Sequence, residues 1–510
     1  MGIAPPYNIP VIDDLAWQVY VKMPGHNTTF IPGKLIGALR ILSQIRGAIP
    51  LIHGPIGCSF QRKLCNIIPG PITYYTPCTR FSEFEVIYGG ENALKSGLIE
   101  VYERFKPDLI AVLTTCASDM TGDDVKAVVD EVKGRGLLGG CKVIYSTGDF
   151  AKRFRQVGAQ DVLYAIADQL IVPETEGQPL EEKSVNLMSE GLHGSYEIDE
   201  LKAMLNDCGV KVNKVYFKDV FVRDLPELGL VELNVTPYYQ LWAEVLNRKR
   251  GVKHYCLARF DDPDPDAQPI GLEGFGRAFM GIAKVLGVEG EGEDVLKRRL
   301  ALVKEELDKV KEGLKGVKVA IEGLGFSGAA TLLPREFEMK ISVLIFWTTT
   351  FKTLGLSEKA LEKRINVHVE YAQRYGSDPE VLIDPSPDEA LRAIKAEGVE
   401  LILTRRAYFY HVHGLKAVDL SQMLKFGHFS IGMRPTVEIA KILRRALDLK
   451  VPARPMLKGL EVSPEIPYLT PQWARLAKLF SMNRRGMLAE TLDKEVAKIV
   501  EMEVEGGPYI

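Results

Sequence analysis

Apolar positions along this chain fall into two alternating patterns. Short continuous runs rich in Val, Ile and Leu read as strands buried on both faces; longer segments with apolar residues every three or four positions read as amphipathic helices. In the first stretch, strands are expected near 48–52, 109–114 and 142–146, with helices near 91–105, 122–135 and 160–171. Residues 173–183, with Pro173, Pro179 and Glu181-Glu182-Lys183, read as a linker by composition. The pattern then resumes with a strand from Ser184, a helix over 197–208, strands near 211–217 and 230–235, a helix over 238–250 and a strand over 252–258. An acidic, proline-rich segment (260–266) and a charged helix over 293–314 follow; mixed charge signs make that helix a solvated connector. The last stretch predicts strands near 317–321, 341–347, 380–383 and 400–404, with helices near 328–338, 357–374, 387–396 and 435–447. The tail from 470 is charged and helical in pattern.

Strands alternating with helices predict parallel sheets, because a parallel pair needs a crossover helix. The expected architecture is α/β, with three Rossmann-like parallel-sheet domains. The expected divisions are an irregular extension over 1–40, domains over 41–180, 181–315 (with the connecting helix) and 316–455, and a helical tail over 456–510.

The length of 510 residues agrees, since one hydrophobic core rarely serves more than about 250–300 residues. A net charge of −3 gives no basic excess, so nucleic acid is not an expected partner. No apolar run is long enough to span a bilayer, and the amino terminus lacks the pattern of a secretion signal, so the expectation is a cytoplasmic protein without membrane attachment. Seven cysteines, an odd number without a signal, argue against a disulfide framework.

Four of those cysteines (Cys58, Cys65, Cys78 and Cys116) cluster in one stretch, whereas Cys141 and Cys208 read as small buried apolar residues. Cys58 closes His53-Gly54-Pro55-Ile56-Gly57-Cys58 just after one strand, and Cys116 lies in Thr114-Thr115-Cys116-Ala117-Ser118-Asp119-Met120-Thr121-Gly122-Asp123-Asp124 just after another. Thiols on turns at the carboxyl ends of parallel strands stand where α/β sheets expose reactive groups, and thiolates are the usual ligands of iron–sulfur centres. Arg62, Lys63 and Arg80 lie nearby in sequence and would favour thiolates and offset an anionic cluster. Zinc is the simpler alternative, but C-x-x-C knuckles are missing. Gly323-Leu324-Gly325-Phe326-Ser327-Gly328 follows a strand and matches G-x-G-x-x-G, yet no acidic residue ends the next strand, so a packing turn is preferred to nicotinamide binding. His411 and His413 follow strand 400–404 and would share a face as period-two neighbours; a polar loop is the preferred reading. No P-loop is present, so this chain is not expected to hydrolyse ATP itself.

The HGPIGC turn, the segment Glu85-Val86-Ile87-Tyr88-Gly89-Gly90-Glu91-Asn92-Ala93-Leu94 and the TTCASDMTGDD turn, in this order and spacing, resemble the component 1 proteins of nitrogenase and nitrogenase-like reductases. The likeness extends over roughly residues 28–450. It implies three Rossmann-like domains in a heterotetramer of paired homologous subunits. It also implies an iron–sulfur cluster, P-cluster-like or [4Fe–4S], shared with the companion subunit and fed by a separate ATP-hydrolysing [4Fe–4S] reductase. Cys58 and Cys116 would be ligands. The upstream cysteine of many members is missing from Asn27-Thr28-Thr29-Phe30-Ile31-Pro32, which leaves Cys78, then Cys65, as substitutes.

The catalytic nitrogenase subunit holds a second, complex metal cofactor through a cysteine and a histidine. His428 falls at the histidine position and is the candidate catalytic and cofactor-binding residue, while Tyr238 stands where the cysteine should be. Cys256, ending the following strand, could reach the same cleft. Gly158-Ala159-Gln160-Asp161 replaces the family's Gly-His-His, and Arg155 replaces a Gln. These departures imply a substrate other than dinitrogen. The resemblance therefore predicts a nitrogenase-like reductase of small molecules, such as a methylthio-alkane reductase cleaving C–S bonds. The alternatives are a tetrapyrrole reductase subunit of protochlorophyllide or nickel-sirohydrochlorin type, a true nitrogenase subunit, or a non-catalytic scaffold for cofactor assembly.

Overall fold

The computed structural model describes residues 34–59, 76–146, 155–188, 195–216, 220–237, 240–257, 269–323, 327–348, 358–404, 406–419 and 432–451. The chain forms two compact units, Met1–Lys309 with Leu424–Glu438 and Val310–Met423 with Ile439–Ile510.

The first unit opens with α1 (Lys34–Leu42), β1 (Ile45–Arg46) and β2 (Ala48–His53). After α2 (Glu83–Tyr88) and α3 (Glu91–Phe105) come β3 (Leu109–Thr114), α4 (Cys116–Thr121), α5 (Val125–Gly134), β4 (Lys142–Ser146) and α6 (Arg155–Ile166). Strands β2, β3 and β4 form a parallel sheet in that order, with Ala48 beside Leu109 and His53 beside Thr114. Side chains alternate across a strand, and the two faces of β3 show why its run is apolar throughout. Ile110 and Val112 pack on Leu94 and Leu98 of α3 and on Val125 and Val129 of α5. Leu109, Ala111 and Leu113 pack on Leu39 and Leu42 of α1 and on Val162 and Ile166 of α6. A strand covered on both faces has no use for polar residues.

Helix α6 continues through a π-helical turn (Ala167–Ile171) into Val172–Thr175. A second sheet follows, built from β5 (Glu181–Met188), β6 (Lys211–Tyr216), β8 (Val231–Thr236) and β9 (Lys253–Cys256) in the order β6-β5-β8-β9, all parallel. Helix α7 (Ser195–Asp207) and the short strand β7 (Val220–Phe221) lie between these in sequence, and α8 (Leu241–Arg250) precedes β9. β7 pairs with β1, Ile45 beside Val220. Trp242, Val245 and Leu246 of α8 join the same core as α1 and α6, so the two sheets share one apolar interior. The unit continues with α9 (Gly271–Val285) and the charged α10 (Glu289–Lys311).

The second unit holds β10 (Lys318–Glu322), α11 (Ser327–Phe337), β11 (Lys340–Phe346), α12 (Glu358–Arg374), β12 (Glu380–Ile383), α13 (Pro387–Ala396), β13 (Leu401–Thr404), α14 (Ala407–Val412) and β14 (Ala417–Asp419). Its five strands run parallel in the order β12-β11-β10-β13-β14, a doubly wound order with its topological switch between β10 and β13. At that switch the buried Glu322 is engaged by Arg406, by the Thr404 hydroxyl and by Trp347 Nε1 at 2.6 Å. The Arg406 guanidinium also lies 4.4 Å from the Trp347 ring, a cation–π contact.

The α/β class with parallel sheets is as expected. Four local expectations differ. Residues up to 40 are not irregular throughout, because α1 starts at Lys34 and buries Leu39, Ile41 and Leu42. The linker is partly structured: Val172–Thr175 is helical and Glu181 already belongs to β5. Helix α10 is not wholly solvated, since Gly292, Val295 and Leu307 are buried on one stripe. His411 lies in the last turn of α14 and His413 is its C-cap, so the pair follows a helical turn rather than a strand's alternation. In the 323–328 motif, Gly323 takes φ 126° and residues 324–326 lie outside the described residues.

Candidate functional site

The site is built on the in-register ends of β2 and β3. Past His53 the chain runs through Gly54 and Pro55 into a helical turn, where the Cys58 N–H donates to Pro55 O at 3.1 Å. Past Thr114 it enters α4 within two residues, so Cys116 opens that helix. Side chains on the second turn lock onto the first: the Thr115 hydroxyl donates to His53 O at 3.0 Å and the Ser118 hydroxyl to the same oxygen at 2.8 Å.

The approach is close enough to dictate glycine at 54. A Cβ there would lie 2.1 Å from Thr115 Oγ1, well inside contact distance. Gly54→Ala is therefore expected to push the Cys116 turn away and to lower stability by about 1–3 kcal/mol, the usual cost of overpacking. Chemical denaturation of the variant measures this; an unchanged midpoint would contradict the packing described.

Cys78 arrives by a different route. Residues 77–79 lie alongside β2 as a short parallel bridge, Ile52 opposite Cys78, with Ile52 N–H donating to Pro77 O at 2.9 Å and Thr79 N–H to Ile52 O at 3.0 Å. The Ser59 hydroxyl donates to Thr76 O at 2.6 Å, tying the residue after Cys58 to the same segment. Cys58 and Cys78 are half-buried against one core, whereas Cys116 is exposed. The Arg80 guanidinium stands 3.9 Å from the Glu100 carboxylate. Cys65, Arg62 and Lys63 lie outside the described residues.

In the sequence His53 and Asp123 are no more than letters of the two motifs; the structure gives them a common place. His53 is fully buried, its Nε2 2.9 Å from Asp123 Oδ2 and its Nδ1 3.2 Å from Thr79 Oγ1. Burial lowers the His53 pKa below its ordinary value, although the neighbouring Asp123 opposes this. Gly90 N–H donates to the other Asp123 oxygen at 2.8 Å.

Around the thiols the surface is apolar. Ile56 is 66% exposed, Tyr88 73% and Met120 75%, and no residue of α2 is buried, which leaves Phe84, Val86 and Ile87 facing out as well. Side chains of this size in one neighbourhood mark an interaction surface rather than ordinary solvent-facing scatter.

The candidates for a second cofactor are less complete. Cys256 ends β9 beside Thr236, half-buried. In the same strand, burial pushes His254 down to about 4, and its Nε2 lies 2.7 Å from the Thr236 hydroxyl. Gln160 donates to Gln240 Oε1 at 2.6 Å and accepts from Leu241 N–H at 3.2 Å, so it anchors the N-terminus of α8. Tyr238 and His428 lie outside the described residues. The first described helix after His428, α15 (Met433–Asp448), has its leading N–H groups on the Glu200 carboxylate, Met433 N at 2.9 Å.

Among the described residues, no three His, Cys, Asp or Glu side chains stand together as a metal-binding group. Soft thiols on turns fixed at neighbouring strand ends nevertheless suit an iron–sulfur cluster completed by ligands beyond them. Among the described residues no helix is long and apolar enough to cross a membrane.

The chain is 24% identical over 266 residues to one of the subunits of the light-independent protochlorophyllide reductase from Synechococcus sp. (strain JA-3-3Ab), a match that spans 50% of each chain. It is 25% identical over 446 residues to the nitrogenase molybdenum-iron protein alpha chain of Methanothermobacter thermautotrophicus, covering 79% of this chain and 88% of the relative. The chain thus spans about half the length of the first relative but most of the second. Its fold matches a solved structure, nitrogenase Cp1 at pH 6.5, with a TM-score of 0.57 at 17% identity over 82% of this chain and 92% of that one. The model of the nitrogenase component 1 type oxidoreductases matches residues 34–415, and with three-quarters of its length inside that match the chain belongs to this family.

Proposed function

We propose that this chain is a subunit of a nitrogenase-like reductase complex, in which Cys58, Cys78 and Cys116 contribute thiolates to an iron–sulfur cluster at the entry point for low-potential electrons. The observation that carries the reading is the fixing of the three cysteine segments against one another at the ends of β2 and β3. Thiolate ligation and partial burial give such a cluster a low potential, which suits one-electron transfer. The chain's own residues hold the thiols, seal the core side of the site with Ile52 and Leu113, and leave Cys116 and the apolar rim open.

That rim is the surface for a homologous companion subunit, whose ligands would complete the cluster in a heterotetramer. A separate ATP-hydrolysing [4Fe–4S] protein would supply the electrons. Cys65 is a further ligand candidate. Cys256 and His428 are proposed to hold a second complex iron–sulfur cofactor, with His428 acting on the substrate. Tyr238 at the usual cysteine position and Gln160 in place of the family's histidines favour reduction of a small molecule other than dinitrogen, and C–S cleavage of methylthio-alkanes is the reading we adopt. A tetrapyrrole reductase subunit is the second reading, supported by relatives named as a protochlorophyllide reductase subunit and as a component of a nickel-sirohydrochlorin a,c-diamide reductive cyclase complex.

The test is anaerobic co-purification with the companion subunit, iron and sulfide quantification, and turnover with the reductase and ATP. Iron and acid-labile sulfide in the complex, with thiol released from a methylthio-alkane, is the expected result. Reduction of a tetrapyrrole instead would establish the second reading. A complex free of iron would overturn both.

A further inference from the structure

Three segments carry the candidate thiols, and one residue touches all three. The His53 carbonyl accepts from Thr115 and Ser118, which flank Cys116. Its Nδ1 meets the Thr79 hydroxyl, next to Cys78, and that hydroxyl oxygen also accepts Gly54 N–H at 3.0 Å, on the way to Cys58. Its Nε2 meets Asp123, which closes the Cys116 motif and whose side chain is only 2% exposed. Phe81 packs against the ring edge-to-face, with centroids 4.9 Å apart.

We propose that His53, acting with Asp123, is a positioning residue that ties together the three segments carrying Cys58, Cys78 and Cys116; the role rests on the cluster reading given above. For a neutral imidazole the hydrogen bonds have one self-consistent assignment. Nε2–H donates to the Asp123 carboxylate, leaving Nδ1 as acceptor for the Thr79 O–H, whose oxygen remains free to accept from Gly54. Each polar atom then has a partner, as buried polar groups require. An aliphatic side chain here would leave Asp123 with one buried oxygen unpaired and Thr79 without its acceptor.

A merely structural histidine would stabilise the fold without regard to the thiols, and the difference is measurable. Partners one shell out from metal ligands typically change metal affinity about 10–100-fold when removed. His53→Ala in the assembled complex is expected to release iron to a ferrous chelator about 10–100-fold faster, with a changed electron paramagnetic resonance line shape. His53→Gln, whose amide nitrogen mimics Nε2 and reaches Asp123, should recover most of the wild-type rate. His53→Asn, which mimics Nδ1, should not. His368→Gln, at a buried histidine of the second unit, is the control for general loss of stability. Should His53→Ala fail to assemble, Asp123→Asn carries the same test, because it keeps shape and removes the charge.

Iron release and spectrum unchanged in His53→Ala, or altered only as much as in a His368→Gln variant of equal thermal stability, would overturn the positioning role alone. Wild-type complex without iron overturns the cluster reading and this proposal with it.

Discussion

Cys58→Ala and Cys116→Ala are each expected to strip most of the iron from the purified complex and to quench its paramagnetic signal, while leaving the chain folded. Fold and iron should separate because of where the two thiols lie. Cys116 is exposed at the first position of α4; alanine is the best helix former and removes no packing there. Cys58 is half-buried against the first-unit core, so losing its sulfur removes part of one small side chain, a cost of about 1 kcal/mol, less than that of larger core truncations. A ligand bond, by contrast, has no replacement, since the alanine methyl offers no donor atom where the thiolate stood. Iron content falling with an unchanged melting temperature is the expected signature. Full iron retention in both variants would remove these cysteines from the ligand set. Cys78→Ala and Cys65→Ala, measured alongside, decide between the two candidates for the remaining position.

The second large effect lies in the other unit and concerns stability. Arg406→Met is expected to destabilise the second unit by about 3–5 kcal/mol, the range for breaking a buried ion pair from one side. Glu322 sits 4% exposed at the end of β10, so without the guanidinium its buried charge is left to neutral donors such as the Trp347 N–H and the Thr404 hydroxyl. The arginine also contributes contact over the Trp347 ring. Replacing both members, Glu322→Leu with Arg406→Met, should recover much of the loss, because no unpaired charge then remains. Urea denaturation of the single and double variants measures the coupling. A double variant no more stable than Arg406→Met would show that the charge is not the source of the cost.

Most strands and helices of this fold were legible in the sequence, because both faces of each sheet are covered and the strands read as unbroken apolar runs. Leu109 to Leu113 is the clearest case: every side chain is buried, on alternating sides. Short elements escaped notice for an equally physical reason. α2 buries nothing, so it has no apolar stripe turned inward to mark it as a helix. β1 and β7 are two residues each and exist only by pairing with each other. In the site, Cys58, Cys78 and Cys116 were visible because thiols are rare and their motifs distinctive. His53, Thr79 and Ser118 were not, since their roles depend on hydrogen bonds between segments far apart in sequence, and no spacing rule encodes those. The glycine of the first motif was legible as a turn residue, but the Thr115 contact that requires it came only with the three-dimensional approach of the two turns.

The pairing of β1 with β7 sets the order in which this protein can be made. Ile45 and Arg46, immediately ahead of the strand that leads to Cys58, find their backbone partners at Val220 and Phe221, and the core under β2 is finished by Trp242 and Leu246. A chain emerging from the ribosome at about 5–20 residues per second therefore carries β2, β3 and β4 for several seconds before the last residues of this core arrive. The core beneath the thiol-bearing sheet is complete only once α8 has been synthesised, so a fragment ending before β8 would leave part of that core exposed.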